Sequence, residues 1–304
     1  FVAEKLMAQV NMQRIILLVA SIAVIGLVGC EQPAEVELQP VEVDGGVVVS
    51  SIAEADTGLV IAPVDSSGML PSDRYRFEAS MQVTHVVYDA GAKGVDSFAV
   101  SRAYFSDRGR PVLFGGRVLA YFGLDLGVIN LNGIPMLKRF YRIPIPWVGR
   151  DTVAGVEYVS NLTQEYKPNT VYEWSLSAIF GQGFHPSIQS PDDLRVLSPV
   201  GGSIVARRRD LLLRWTGKGD VWIVVSAYDP VKKSSKPLLQ VVPTDAGRNR
   251  AVLSAQTLRL LPANRFYWFT FMSYNRLERG GISQYPGKIL IQAASVYNSL
   301  VELR

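Results

Sequence analysis

The chain has 304 residues, 48% of them hydrophobic, 19% charged and 10% aromatic, with 26 Gly, 17 Pro, two His, one Cys and a net charge of +4. That apolar content excludes a disordered polymer and a collagen-like repeat, and at roughly 100 to 200 residues per domain the length predicts two domains. One cysteine excludes an intrachain disulfide and a thiolate zinc site, and His85 and His185 alone make a poor metal inventory, so no metal or cofactor is expected.

The first element in chain order is an uncharged apolar run, Ile15 to Val28, preceded by Arg14 and followed by Gly29 and Cys30. It is short for a membrane-spanning helix, which needs roughly 20 residues, and fits the apolar core of a secretory signal. Read from Met12, the signal occupies 18 residues and ends at Gly29. Leu27-Val28-Gly29-Cys30 resembles the lipobox of bacterial lipoproteins. The resemblance implies a diacylglycerol thioether on the Cys30 sulfur, cleavage before Cys30, and a protein anchored on the bacterial cell envelope outside the cytoplasm. Two or more acyl chains, at about 0.8 kcal/mol per buried methylene, hold a protein on a bilayer stably, whereas one does so marginally.

After the cysteine the charge is very uneven. Residues 31–67 carry eight acidic groups and no Lys or Arg, residues 68–183 carry 12 basic and 10 acidic groups, and residues 184–304 carry 17 basic and 8 acidic. The Glu- and Pro-rich start of the acidic stretch has little to bury and reads as a tether, with Val47 to Ile52 able to pair as a strand. The expected organisation is therefore upstream residues and signal over 1–29, lipidated cysteine and tether over 30–67, and two domains over 68–183 and 184–304.

From Arg74 onward, short β-branched and aromatic runs alternate with turn signals and no amphipathic helix stands out, which predicts an all-β protein. Asn132-Gly133, between Val128-Ile129 and Ile134, signals a tight hairpin. An internal repeat supports two domains. Pro168, Tyr172 and Trp174 share the spacing of Pro262, Phe266 and Trp268, and the copies lie 94 residues apart, the length of one β-sandwich. The Gly-, Pro- and Ser-rich segment from Gly181 to about residue 195 between them reads as a linker.

These residues resemble the fibronectin type III and immunoglobulin-like superfamily, in which a Pro turn leads to an aromatic corner and an alternating strand. The resemblance implies two tandem β-sandwiches. In the first copy Tyr172, Trp174, Leu176 and Ala178 face the core, with Glu173, Ser175 and Ser177 outward. In the second copy Phe266, Trp268, Thr270 and Met272 take the inward positions, and Leu211, Leu213 and Trp215 look like the family's second strand. Phe266 stands where the family has Tyr, so the corner hydroxyl is expected to be missing.

No GxSxG, HExxH or GxxxxGK[ST] motif is present, and no catalytic residue is assigned. His85 falls on the face of its strand with Val83 and Val87, with no carboxylate in local register, and His185 sits in the linker. The nearest acid pairs for glycoside hydrolysis are Asp192 with Asp193 and Glu157 with Glu165. Arg207, Arg208 and Arg209, with Lys232, Lys233 and Lys236, suit either solubility or anionic glycans and head groups rather than nucleic acid, which needs interleaved aromatics along a groove.

The strand RFYWFTFMSY is apolar on both faces. With the inward set above, Tyr267, Phe269 and Phe271 line its other face, beside Trp222, Val224 and Tyr228 of VWIVVSAY, whose inward set is Val221, Ile223, Val225 and Ala227. So large an apolar patch needs a cover: the first domain, the C-terminal segment, a partner protein or a sugar ring. The sequence thus reads as an envelope lipoprotein with a non-catalytic binding or scaffolding role, the alternatives being a carbohydrate-binding accessory protein or a hydrolase of unrecognised type.

Overall fold

Alternating apolar and polar residues, punctuated by Gly, Pro and Asn, become strands and turns through almost the whole described chain. The computed structural model describes residues 39–44, 47–51, 77–145, 150–160, 166–176, 184–231, 234–243, 249–263, 265–280, 285 and 287–304. The fold is all-β. In chain order the strands are β1 (Gln39–Asp44), β2 (Val47–Ser51), β3 (Ala79–Asp89), β4 (Val95–Phe114), β5 (Arg117–Gly123), β6 (Ile129–Leu131), β7 (Ile134–Pro135), β8 (Leu137–Ile145), β9 (Arg150–Val159), β10 (Val171–Leu176) and β11 (Ser187–Gln189). They continue with β12 (Arg195–Ser198), β13 (Ile204–Val205), β14 (Leu211–Thr216), β15 (Val221–Asp229), β16 (Ser234–Pro243), β17 (Arg250–Leu253), β18 (Arg265–Arg279) and β19 (Ile289–Leu303). One short helix, α1 (Ala255–Leu260), starts where the Ser254 hydroxyl accepts a hydrogen bond from the Thr257 N–H.

A single twelve-stranded sheet runs in the order β1-β2-β16-β15-β18-β19-β3-β4-β5-β9-β8, with β13 added beside β19. Its spine is the hairpin of β18 and β19, paired over fifteen residues, with β3 lying parallel to β19 over eleven. Two small sheets, β11-β10-β6-β7 and β12-β14-β17, pack on one face of it. At the Asn132-Gly133 hairpin both residues have positive φ, 51° and 76°, as a two-residue turn of that type requires.

Alternation along the long strands supplies both cores from the same face. In the C-terminal core, Val221, Ile223 and Val225 of β15 and Val301 and Leu303 of β19 meet Leu211, Leu213 and Trp215 of β14, as the periodicity predicts. In the N-terminal core, Met81 and Val83 of β3, Ala103 and Phe105 of β4 and Ile289, Ile291 and Ala293 of β19 meet Tyr172, Trp174 and Leu176 of β10. The inward set of β10 is thus as expected where it is described, Ala178 and Ser177 lying outside the described residues.

The facing of β18 is the reverse of the sequence expectation. Tyr267, Phe269 and Phe271 are fully buried in the C-terminal core under the three-stranded sheet, whereas Met272 belongs to a small cluster on the opposite face with Val86, Val224, Ala294 and Val296. Trp268 lies on that opposite face too, edge-on to Tyr88 at 5.5 Å and to Tyr228 at 5.7 Å. Trp174 and Trp268 are therefore not equivalent. The corner shows why: the Tyr267 hydroxyl donates to the Pro262 carbonyl at 2.8 Å, and the Tyr172 hydroxyl accepts from the Lys167 N–H at 2.7 Å. Each phenol ties back to the residue five positions upstream, so Tyr267 matches Tyr172 and the corner hydroxyl is present.

The expected boundary at residue 183 does not divide the cores. Ile188, Tyr285, Ile289, Ile291 and Ala293 all belong to the N-terminal one. Nor is the described part of the linker loose. Between the cores the segment from Gln189 to Leu194 crosses the shared face and is tied to it by its backbone: Asn275 Nδ2 donates to the Gln189 carbonyl at 2.8 Å and the Leu194 N–H donates to Ser295 Oγ at 3.0 Å. Part of the acidic tether is structured as well. Strands β1 and β2 form an antiparallel pair, and β2 extends the great sheet alongside β16.

Candidate functional site

Strands β4 and β5 form one hairpin and β8 and β9 another, and β9 pairs with both β4 and β5. Because β9 runs antiparallel to β4 and parallel to β5, the two hairpins project in the same direction as two fingers. They cross at Gly123 and Gly155. A Cβ added to Gly155, whose φ is +95°, would lie 2.2 Å from the Gly123 carbonyl oxygen, and one on Gly123 would lie 2.2 Å from that of Val156, so glycine is required at both.

At the base of the fingers a buried carboxylate is clamped. Glu157 of β9 is 4% exposed; its Oε2 accepts from Arg102 Nε at 2.7 Å and its Oε1 from Arg139 Nε at 2.8 Å. Two guanidinium groups on one carboxylate leave a net positive charge, to which Arg142 adds. These residues, with Val100, Tyr141 and Val159, line a cleft of about 240 Å³. The Arg102 guanidinium lies 5.3 Å from the centre of the Tyr141 ring and 5.6 Å from that of Tyr104, and the two rings meet edge-on at 5.0 Å. Burial pushes the Tyr104 hydroxyl well above the ordinary tyrosine range, so it stays a neutral donor, to the Tyr121 carbonyl. Chemically, this is a cationic, aromatic-walled cleft suited to a carboxylate or phosphate; Glu157, with both oxygens engaged, positions the guanidinium groups rather than accepting a proton from substrate.

The residues singled out in the sequence are dispersed. Of the expected aromatic surface, Tyr267, Phe269 and Phe271 form the C-terminal core, while Trp222 and Val224 pack with Met272 on the opposite face and Tyr228 reaches Trp268. A sugar-stacking face made of these six residues therefore does not exist; the strand is apolar on both sides because both sides are packed.

Arg207 is structural: its Nε donates to the Leu258 carbonyl at 3.3 Å and its Nη2 to the Arg259 carbonyl at 2.5 Å, satisfying the end of α1. Arg208, Arg209 and Lys236 are exposed. His85 does have a carboxylate partner, contributed by the crossing segment rather than by its own strand: its Nδ1 lies 2.9 Å from Asp193 Oδ1, and its ring stacks on Tyr166 at 5.2 Å. Asp192 accepts from Asn169 Nδ2, so neither member of that acid pair faces a cleft as a free couple. His185 is an exposed neighbour of Glu173 at 4.0 Å. Leu27, Val28, Gly29, Cys30, Glu165, Lys232 and Lys233 lie outside the described residues.

The Arg102–Glu157–Arg139 clamp carries no local sequence signature, since Glu157 is 55 residues from one partner and 18 from the other. Its one sequence trace is the density of Arg and aromatics from Lys138 to Arg142. Among the described residues, no group of three His, Cys, Asp or Glu is placed to hold a metal ion, and no helix is long and apolar enough to cross a membrane. The chain matches no model of a known protein family and no curated protein.

Proposed function

We propose that the protein is a lipid-anchored bacterial envelope lipoprotein, held to the membrane through Cys30, and that it works as a non-catalytic scaffold or binding module. The observation that carries this reading is the shared spine. One hairpin, β18–β19, runs through both cores, so the two sandwich-like halves form one rigid plate rather than two beads on a string. A plate of this kind is suited to holding a partner at a fixed distance from an anchoring surface. The partner classes that fit are an envelope protein or an anionic group seated in the Arg102–Arg139 cleft; nucleic acid is not among them, and no cofactor is invoked.

The lipobox resemblance at Leu27–Cys30 supplies the anchor. Metabolic labelling with a fatty acid should mark the wild-type chain and place it in the membrane fraction, while Cys30→Ser should lose the label. Equal labelling of the two would remove the anchor from this reading. Loss of the label with unchanged folding of the remainder is the result it requires.

A further inference from the structure

The two fingers expose apolar side chains where a folded body would bury them. Beyond the glycine crossing, Leu113 is 57% exposed and Val118, directly opposite it, 38%; on the other finger Val153 is 45% exposed, and Phe140, paired with Val156 beside the crossing, is 66% exposed. Arginines stand close by in the ladder: next to the Leu113–Val118 pair Phe114 pairs with Arg117, and on the second finger Val153 pairs with Arg142. Residues 107–122 and 140–154 together carry five arginines against two aspartates. The Arg110 guanidinium lies 4.0 Å from the centre of the Phe122 ring, a cation held over an apolar surface.

We infer that the fingers dock on an anionic lipid surface, their apolar side chains entering the acyl boundary and their arginines meeting head-group phosphates. Three observations converge. The hairpins project in one direction from their crossing, so the described strands of both can approach one plane. Exposed apolar residues sit among arginines, the composition that partitions at a bilayer interface, where arginine stems lie along apolar surface while the guanidinium reaches phosphate. The charge is positive, and anionic lipid attracts basic groups near its surface within a Debye length. This goes beyond the anchor at Cys30 and does not need it; with the anchor, it would fix how the plate is oriented on the membrane.

The test uses the full chain carrying Cys30→Ser and Leu113→Cys, labelled at the introduced thiol with nitrobenzoxadiazole, whose emission rises and shifts blue on leaving water. Phosphatidylcholine vesicles containing phosphatidylglycerol should raise the emission several-fold. Added salt, or Arg110→Glu with Arg117→Glu, should abolish the rise. The same label at Phe140→Cys gives a second, independent reading should the first variant fold poorly. Probes that both stay unshifted on anionic vesicles, whether or not the chain floats with them, overturn the inference; because Cys30 is replaced in this chain, that result leaves the lipid-anchor reading to its own labelling test. An equal rise on pure phosphatidylcholine overturns the electrostatic selection of the surface, and with it the inference. A rise without vesicles that grows with protein concentration identifies a second copy of the chain as the occupant and likewise overturns it.

Discussion

The two cores occupy the same face of one sheet, yet they are assembled differently. The C-terminal core is made from residues 194 to 303, a nearly contiguous length of chain. The N-terminal core closes only when residues 285 to 293 return to join a cluster that otherwise ends at Ile188. Two hydrophobic clusters therefore do not imply two separable domains. The strand they share makes each a boundary condition for the other, and β19 contributes Ile289, Ile291 and Ala293 to one and Val301 and Leu303 to the other.

The largest expected effects come from the tryptophan at the centre of each core. Trp174 is 0% and Trp215 3% exposed, and Trp174→Ala or Trp215→Ala should each cost about 3–5 kcal/mol. If the shared strand couples the cores, denaturant unfolding of either variant, followed by fluorescence and by circular dichroism, should remain one coincident transition. Two separated transitions would break the comparison and restore independent domains.

Alkali should strain both halves. Burial raises the hydroxyls of Tyr285, in the N-terminal core, and Tyr297, packed against the C-terminal one and bonded to the Asp89 carboxylate, from 10 to about 12. With the folded value above the unfolded one, the stabilisation is complete below pH 10 and is lost as pH rises from 10 to 12. For Tyr285, 5% exposed and with its single hydroxyl proton shared between the carbonyls of Glu78 at 2.7 Å and Ser106 at 2.8 Å, the loss amounts to about 2–3 kcal/mol. Melting temperatures of wild type and Tyr285→Phe measured across that window should converge. A constant gap would show that the phenol does not titrate with unfolding.

The smallest effect compares the two corners. Tyr267→Phe and Tyr172→Phe each remove one hydrogen bond to the backbone five residues upstream and should each cost about 1 kcal/mol, read as a shift in denaturant midpoint. A negligible loss at Tyr267 alone would mean that the second corner is held by packing and not by its hydroxyl.

Much of this architecture was legible in the chain. Alternation sets the inward residues of β10, the expected inward residues of β14 and β15 are the buried ones, and Asn132-Gly133 marks its turn. Strand β18 was misread because FYWFTFM is apolar at every position but one, and a period-two pattern without contrast has no phase. Matching Trp268 to Trp174 then set the phase one residue out. What sets the phase is the phenol bonded to the backbone five residues upstream, common to Tyr172 and Tyr267, while the proline stands four residues before the first and five before the second. The parallel pairing of β3 with β19, the partnership of His85 with Asp193 and the Arg clamp on Glu157 join residues far apart in sequence, and no local pattern announces them.

The placement of β19 has a consequence for the order in which the molecule can be made. It follows every other described strand in the chain, yet it lies between β18 and β3 at the centre of the sheet. As the polypeptide is synthesised, the residues before β18 cannot complete the N-terminal core until β19 arrives. Folding is thus a closing step rather than a procession from one end. A chain whose central strand is made after every other described strand commits to its closed fold late, and all at once.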